Sequence, residues 1–412
     1  NFFQSNYDAV TINDTSLYVE YSQSIVNYMR SGLWNDEFIE AKEIIKGHLL
    51  LLNLNIWINA FFIYFIGNNI IVVYLINSIL LTFIFFQIIV FYKNIYNSIP
   101  SKILFIIPFL IFLLFPSTSH ILYVFGKDLY VLLFSLILTN FIFSIFNNKI
   151  ILGKEYYLRI LGLTVLLLFF CFIRKSTFIY INICFFISLI IIFAFNKSIL
   201  IKNKNKIFLF IISMTLIYLV YLFLQSLLPE QIGVAINNFN SIEITESYIK
   251  ANTNLYKFNP PLWIKINYIP TFIDIFLNKI TIIRNNFLIL QYESAASYGL
   301  FQNINPQNSI EAISHLLHLF FKAPFVPSVD SWLNIKSLNS FMISFESFIF
   351  HFLFAGIIIN YSKLKKFEIL IIFFSLCYMC IILYLIPNLG SFIRYKQLPY
   401  LILLIISLRH WF

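Results

Sequence analysis

A lysine and an aspartate, Lys127 and Asp128, stand side by side at the mouth of an apolar run that continues for 18 residues, to Phe146, without a charge. An ion pair at the entrance of a membrane helix is costly to bury, so it marks a working surface. Asp128 has two readings from its position: it orients a substrate group or a metal, or it neutralises the lysine. A second constellation is His315-x-x-His318, which a helix places on one face, with Glu311 one turn earlier on the same side. Three metal ligands are conceivable there, and the plainer reading is an amphipathic interfacial helix. Cys377-x-x-Cys380 has the spacing of a redox or zinc pair, but it lacks a second pair and lies mid-span. These cysteines, like Cys171 and Cys184, therefore read as buried small apolar residues. Glu346, with His351 five residues on, is an acid inside an apolar span, a position that tends to be functional; its nearness to the span's end gives it a route to water.

The elements that position these residues follow from composition. Of 412 residues, 60% are hydrophobic and only 11% charged, and the mean hydropathy is +0.84. A soluble domain has no way to hide that much apolar surface, so the expectation is an all-α polytopic membrane protein. Spans are expected at about 70–92, 103–115, 129–146, 158–173, 177–195, 207–228, 341–359, 367–387 and 397–409. Four regions result: 1–69, a polar segment with amphipathic and re-entrant helices; 70–228, transmembrane helices; 229–340, a long segment with amphipathic patches at Phe272–Leu277 and Ile310–Phe321; and 341–412, the C-terminal transmembrane helices. The stretch 49–66 is apolar but interrupted by Asn53, Asn55 and Asn59, and Gly67-Asn68-Asn69 breaks it. It reads as re-entrant or interfacial rather than crossing.

The net charge of +10 invites a nucleic-acid reading, which the positions of the charges reject. With 49–66 not crossing, alternation of loops puts Lys93, Lys102, Lys149, Lys154, Arg159, Lys197, Lys202, Lys204, Lys206, Lys363, Lys365, Lys366 and Arg409 on one side, with only Glu155 and Glu368 as acids. Such a face is cytoplasmic by the positive-inside rule. The segments 1–69, 117–128, 174–176, 229–340 and 388–396 then face outward. The chain begins at Asn1 in polar sequence, and this parity expects one further span before it.

Four stretches, in order along the chain, resemble the GT-C superfamily of polyprenyl-phosphate-dependent glycosyltransferases, in its bacterial branch of protein mannosyltransferases and lipid A aminoarabinose transferases. Asn13-Asp14-Thr15-Ser16-Leu17-Tyr18 resembles the early acidic residue followed by Tyr. Ile56–Leu75 resembles an apolar helix, then "FG", then the next membrane helix, although here Ile66 separates the Phe from the Gly. Pro116–Phe146 resembles the "P-s … KD" segment ahead of an apolar helix. Pro387–Pro399, PNLGSFIRYKQLP, resembles a late "N-x-G-[ST]-x-R-Y-R-x-P" element, with Lys396 in place of its final Arg. Lys46-Gly47-His48 stands where that family has a Pro-rich segment.

The resemblance implies a GT-C-like bundle, about nine to ten transmembrane helices in this chain, with interfacial helices on the outer face. It implies an integral protein of the bacterial cytoplasmic membrane that moves a hexosyl or pentosyl group from a polyprenyl-(di)phosphate donor to a glycan, lipid or protein acceptor, in contact with membrane lipids and with no nucleic acid. Inverting transfer needs a carboxylate to take the acceptor proton. By the family-like spacing to Tyr18 that base is Asp14, with Asp8 the runner-up and Tyr18 beside the substrate. The leaving lipid phosphate needs fixed cations. Outward basic residues next to spans are Lys127, Arg174, Lys175, Arg394 and Lys396; Arg394 leads, because a guanidinium grips phosphate oxygens bidentately. The alternative for each is an interfacial snorkelling anchor. The cofactor is unknown: no metal site is indicated, and a divalent ion is left open.

Two other functions compete. An O-antigen-polymerase-like enzyme also has outward loops rich in Arg, but lacks the early acidic loop followed by a re-entrant helix. A transporter or flippase would place charged or Gly/Pro-broken helices near mid-membrane, whereas these spans are nearly charge-free.

Overall fold

The computed structural model describes residues 54–67, 70–96, 102–115, 118, 128–146, 154–195, 262–294, 305–326, 338–387 and 392–411 (393 excepted), with parts of 22–31 and 205–220. About 90% of the structure is helical, and no strand occurs among the described residues. The chain divides into two compact units, Asn1–Phe105 with Ser119–Ser241, and Ile106–Thr118 with Ile242–Phe412.

The first unit contains α1 (Leu54–Ile66), α2 (Ile70–Tyr96), the start of α3 (Lys102–Leu114), α4 (Asp128–Phe146), α5 (Lys154–Phe195) and α6 (Ile207–Ile217). Gly67 ends α1: its φ of 93° is the left-handed conformation glycine adopts without a Cβ clash, and its N–H donates to the Ile63 carbonyl at 2.8 Å. α2 packs on α1 and α4, and α4 packs on α5. Asparagines fix these apolar contacts. Asn140 of α4 donates to the main-chain carbonyl (2.8 Å) and side-chain oxygen (3.0 Å) of Gln87, and Asn94 of α2 donates to the Asn140 carbonyl (3.2 Å). A buried amide must be paired, so each one selects a single register between helices.

α2 buries Val72, Ile76, Leu80, Ile84, Ile88 and Phe91 on one stripe, and leaves Tyr74, Leu75, Ile79, Phe83, Phe86 and Val90 exposed on the other. A helix apolar on both faces suits a lipid surround, not water. By length and composition, Tyr74–Tyr96 and Phe367–Leu385 are long and apolar enough to cross a membrane.

One expectation is corrected. Two spans, 158–173 and 177–195, were expected with a turn at 174–176; instead α5 runs unbroken for 42 residues, about 63 Å of helix at the standard rise. Arg, Lys, Ser and Thr interrupt the apolar run without opposing helix, and no Gly or Pro stands between 163 and 195. A continuous helix counts once in an alternation of sides. The assignment of all thirteen basic residues to one face therefore does not follow across α5.

The second unit contains the rest of α3, then α7 (Thr271–Ser294), α8 (Ser309–Lys322), a 3-10 turn at Ala323–Phe325, α9 (Leu338–Ile359), α10 (Lys366–Leu385) and α11 (Gln397–Trp411). The amphipathic patches of the 229–340 segment lie on α7 and α8, which pack on each other and on α10. α11 packs on α9 and α10. The α9–α11 contact is close because Gly356 has no side chain: a Cβ there would run into the Trp411 indole. Trp411 Nε1 and the Ser407 hydroxyl both donate to the Leu353 carbonyl, the former at 3.0 Å. Glu368 accepts from the Lys365 N–H at 2.8 Å at the start of α10 and lies 3.5 Å from Arg409 and 3.4 Å from His410, at the end of α11.

Candidate functional site

Two of the stretches that carry the family resemblance meet in the second unit. After α3 the chain turns, with Thr118 N–H donating to the Phe115 carbonyl at 2.9 Å. The Thr118 side chain then donates to Gln397 Oε1 at 3.0 Å, and both residues are buried. Thr118 belongs to the polar turn after Pro116, and Gln397 to the Pro387–Pro399 element at the head of α11. Pro399 fits there because the first turn of a helix has N–H groups without intrahelical acceptors, so a missing donor costs nothing.

Just before α11, Arg394 lies half-buried in a helical turn and Lys396 is enclosed, 1% exposed. The Lys396 ammonium donates to Tyr400 Oη at 2.6 Å and to the Val326 carbonyl at 3.3 Å, and lies 4.0 Å from the Tyr400 ring centroid. Burial pushes its pKa down to about 8, against the opposing pull of the Glu346 carboxylate. Around it, Phe350 stacks on Tyr400 at 3.8 Å and Phe325 stacks on His351 at 5.2 Å. The Ser347 hydroxyl is 3.2 Å from His351 Nδ1. Lys396, expected beside an interface where a phosphate would reach it, instead ties α11 to the turn after α8. Glu346, the acid inside an apolar span, is buried and lies within electrostatic reach of that lysine.

A further cation was not singled out by sequence. Arg284 of α7 is fully buried; its Nη1 donates to the Tyr384 carbonyl at 3.0 Å, with the guanidinium 5.5 Å from the Tyr384 ring centroid. Tyr384 lies in the last turn of α10, where carbonyls have no helical donor and the dipole is negative. The arginine therefore caps that helix. Burial lowers its pKa to about 10, with Tyr384 acting in the opposite direction. The Thr281 and Tyr384 hydroxyls are 2.7 Å apart, and the His315 ring is 5.5 Å from that of Tyr384. Burial, then Arg284 and His318, hold His315 down to about 3, so its imidazole is neutral at physiological pH. The sequence does contain a signal. Asp274, Leu277, Thr281, Arg284 and Leu288 recur at helical spacing and form the buried stripe of α7, while Phe272, Ile275, Phe276 and Ile283 are exposed, Phe272 by 74%. The helix is polar inside and apolar outside.

His315 and His318 do share a helix, with ring centroids 6.5 Å apart. Glu311 serves the helix start: its Oε1 accepts from Asn308 Nδ2 (2.7 Å), its Oε2 from the Gln307 N–H (2.8 Å), and its own N–H donates to Asn308 Oδ1 (3.0 Å). Among the described residues no three His, Cys, Asp or Glu side chains gather as metal ligands. Cys377 and Cys380 are buried free thiols, Cys380 donating to the Leu316 carbonyl at 3.2 Å.

Of the other expected site residues, Asp8, Asp14, Tyr18 and Lys127 lie outside the described residues. Asp128 is half-buried in the first turn of α4, where helix amides favour a carboxylate. Arg174 lies within α5 rather than in an outward turn. The chain matches no protein-family model, no curated protein and no solved structure.

Proposed function

We propose that this chain is a polytopic membrane glycosyltransferase of GT-C type, moving a sugar from a polyprenyl-(di)phosphate donor to a glycan, lipid or protein acceptor at the outer face of the membrane. One observation carries the reading: the buried Thr118–Gln397 hydrogen bond joins two of the stretches on which the family resemblance rests, although they lie far apart in sequence. The exposed apolar faces of α2 and α7 support the membrane setting.

In this reading Arg394, half-buried at the head of α11, grips the lipid phosphate and stabilises the charge that develops as the glycosidic bond breaks. The guanidinium offers paired donors that match phosphate oxygens. Lys396 holds the turn that presents Arg394. Asp14 is the base for the acceptor hydroxyl.

The test is sugar transfer from a radiolabelled polyprenyl-phosphate sugar in proteoliposomes of the full chain. Arg394→Ala and Asp14→Asn are each expected to lower kcat/KM at least 100-fold, from the loss of a charge-assisted contact or of the base. Full activity in both variants removes the site assignment. Solute uptake without any transfer removes the enzyme class.

A further inference from the structure

A groove of about 460 Å³ opens along the first turns of α8, a size that suits a small ligand. Its polar side is built from Asn305, Glu311, Ser314, His315 and His318, and its apolar side includes Ile310. We propose that this groove is the acceptor subsite of the transferase and takes a neutral, hydroxyl-rich group such as a sugar ring rather than a phosphate; the assignment to an acceptor rests on the function proposed above.

Three features carry the choice of ligand. First, Glu311 is pre-organised: each carboxylate oxygen is already fixed by one donor at 2.7–2.8 Å and retains a further lone pair for a hydroxyl. A ligand that binds there loses little entropy in ordering the site. Second, the groove carries a carboxylate next to a His315 imidazole held neutral by burial, a pairing that offers both acceptors and a donor to hydroxyls and repels an anion. The nearby cation, Arg284, is fully buried and directs Nη1 at the Tyr384 carbonyl. Third, Ile310 supplies an apolar edge of the kind that the C–H face of a pyranose covers, and Ser314 and Asn305 supply a hydroxyl and an amide around it.

The helix start beside the groove is tied to α7 and to the segment before it. Asp274 of α7 accepts from Ser309 Oγ at 2.5 Å and from Trp263 Nε1 at 3.3 Å, and Ile264 N–H donates to the Gln307 carbonyl at 2.7 Å. The extended segment before α7, the buried stripe of α7 and the cap of α8 are thereby held as one piece.

The experiment uses the full chain in nanodiscs with ring-labelled histidine, the His318 signal being assigned with His318→Gln. The probes are methyl glycosides of glucose, galactose and mannose, and inorganic phosphate. At least one glycoside is expected to shift the His318 resonance saturably, and phosphate is expected to leave it unchanged. Ser314→Phe, which fills the groove without removing a cap, should weaken that binding at least 10-fold and raise the acceptor KM by a similar factor at unchanged donor KM. A phosphate response without a glycoside response, or no glycoside response up to 100 mM, overturns the proposal. Transfer with an unaltered acceptor KM in Ser314→Phe overturns the subsite but leaves the transferase. Glycoside binding that Ser314→Phe abolishes, in a protein with no transfer activity, keeps the sugar site and removes the transferase.

Discussion

Arg284 and Lys396 are both buried cations in the second unit, both donate to a main-chain carbonyl, and both lie against a tyrosine ring. They differ in where along a helix they meet the backbone. Arg284 meets the C-terminal turn of α10, where orphan carbonyls and the dipole favour a positive charge. Lys396 lies between a helical turn and α11, its N–H donating to the Phe392 carbonyl at 2.9 Å and its carbonyl accepting from the Tyr400 N–H at 3.0 Å, so no orphan carbonyls of a helix end surround it. Burial lowers the pKa of both, Arg284 to about 10 and Lys396 to about 8, with Tyr384 and Glu346 respectively acting in the opposite direction. A cation's place beside a span does not say whether it faces a ligand; its place along a helix says what it costs to keep.

The largest expected effect tests the pull of Glu346 on Lys396. Lys396→Met removes the ammonium's hydrogen bonds to Tyr400 Oη and the Val326 carbonyl together with its attraction to Glu346, a loss of about 1.5–3 kcal/mol for a hydrogen bond made by a charged group. Lys396→Met with Glu346→Leu removes both groups and should recover the part of that loss owed to Glu346. The measurement is the midpoint of unfolding in SDS, followed by tryptophan fluorescence, since Trp411 stacks on Phe352 at 5.0 Å within this unit. If the double variant is no more stable than the single, the two charges are not coupled and the contrast with Arg284 disappears.

The same lysine gives a pH dependence with a definite sign. Its folded pKa, about 8, is below its ordinary 10.5, so between those values the unfolded chain binds more protons than the folded one. Stability therefore rises with pH across that window, by at most about 1.4 kcal/mol per pH unit, and the penalty is fully present below it. The wild type should gain stability between pH 7.5 and 9.5 relative to Lys396→Met, in which other alkaline titrations are retained. Equal gains in the two proteins would refute the lowered pKa. Arg284→Met, by contrast, should show no such window; it loses a charged hydrogen bond to a helix end, about 1.5–3 kcal/mol, and Arg284→Lys should restore part of it.

The sequence made the helical class legible because apolar runs of membrane length have few alternatives. It placed the patches of α7 and α8 for the same reason. It misread α5, since charge was taken as punctuation where only Gly or Pro would have broken the helix. Arg284 was passed over because α7 was searched for apolar faces, while its informative stripe is polar. Lys396 was noticed, but its direction was not legible: Tyr400, one turn along, and Val326, distant in sequence, turn it inward. Glu311 read as a conceivable metal ligand or as part of an interfacial helix, although Asn308 three residues earlier already spelled a capping pair.

The smallest expected effect concerns the hydrogen bond on which the functional reading depends. Thr118→Val keeps the shape of the buried side chain and removes its donor to Gln397 Oε1. The cost in stability should be about 1 kcal/mol, the worth of one buried neutral bond plus part of an unsatisfied amide. If the contact only holds two helices together, activity should follow stability and recover when the protein is assayed well below its unfolding midpoint. If it positions the turn that carries Arg394, kcat for sugar transfer should fall while acceptor KM is unchanged, and Thr118→Ser, which retains the hydroxyl, should restore kcat. The Arg284→Met protein is the control, because it loses at least as much stability at a helix end that carries none of the four motifs. A fall in kcat of the same size there would mean that the loss reflects general loosening of the second unit rather than the placement of Arg394.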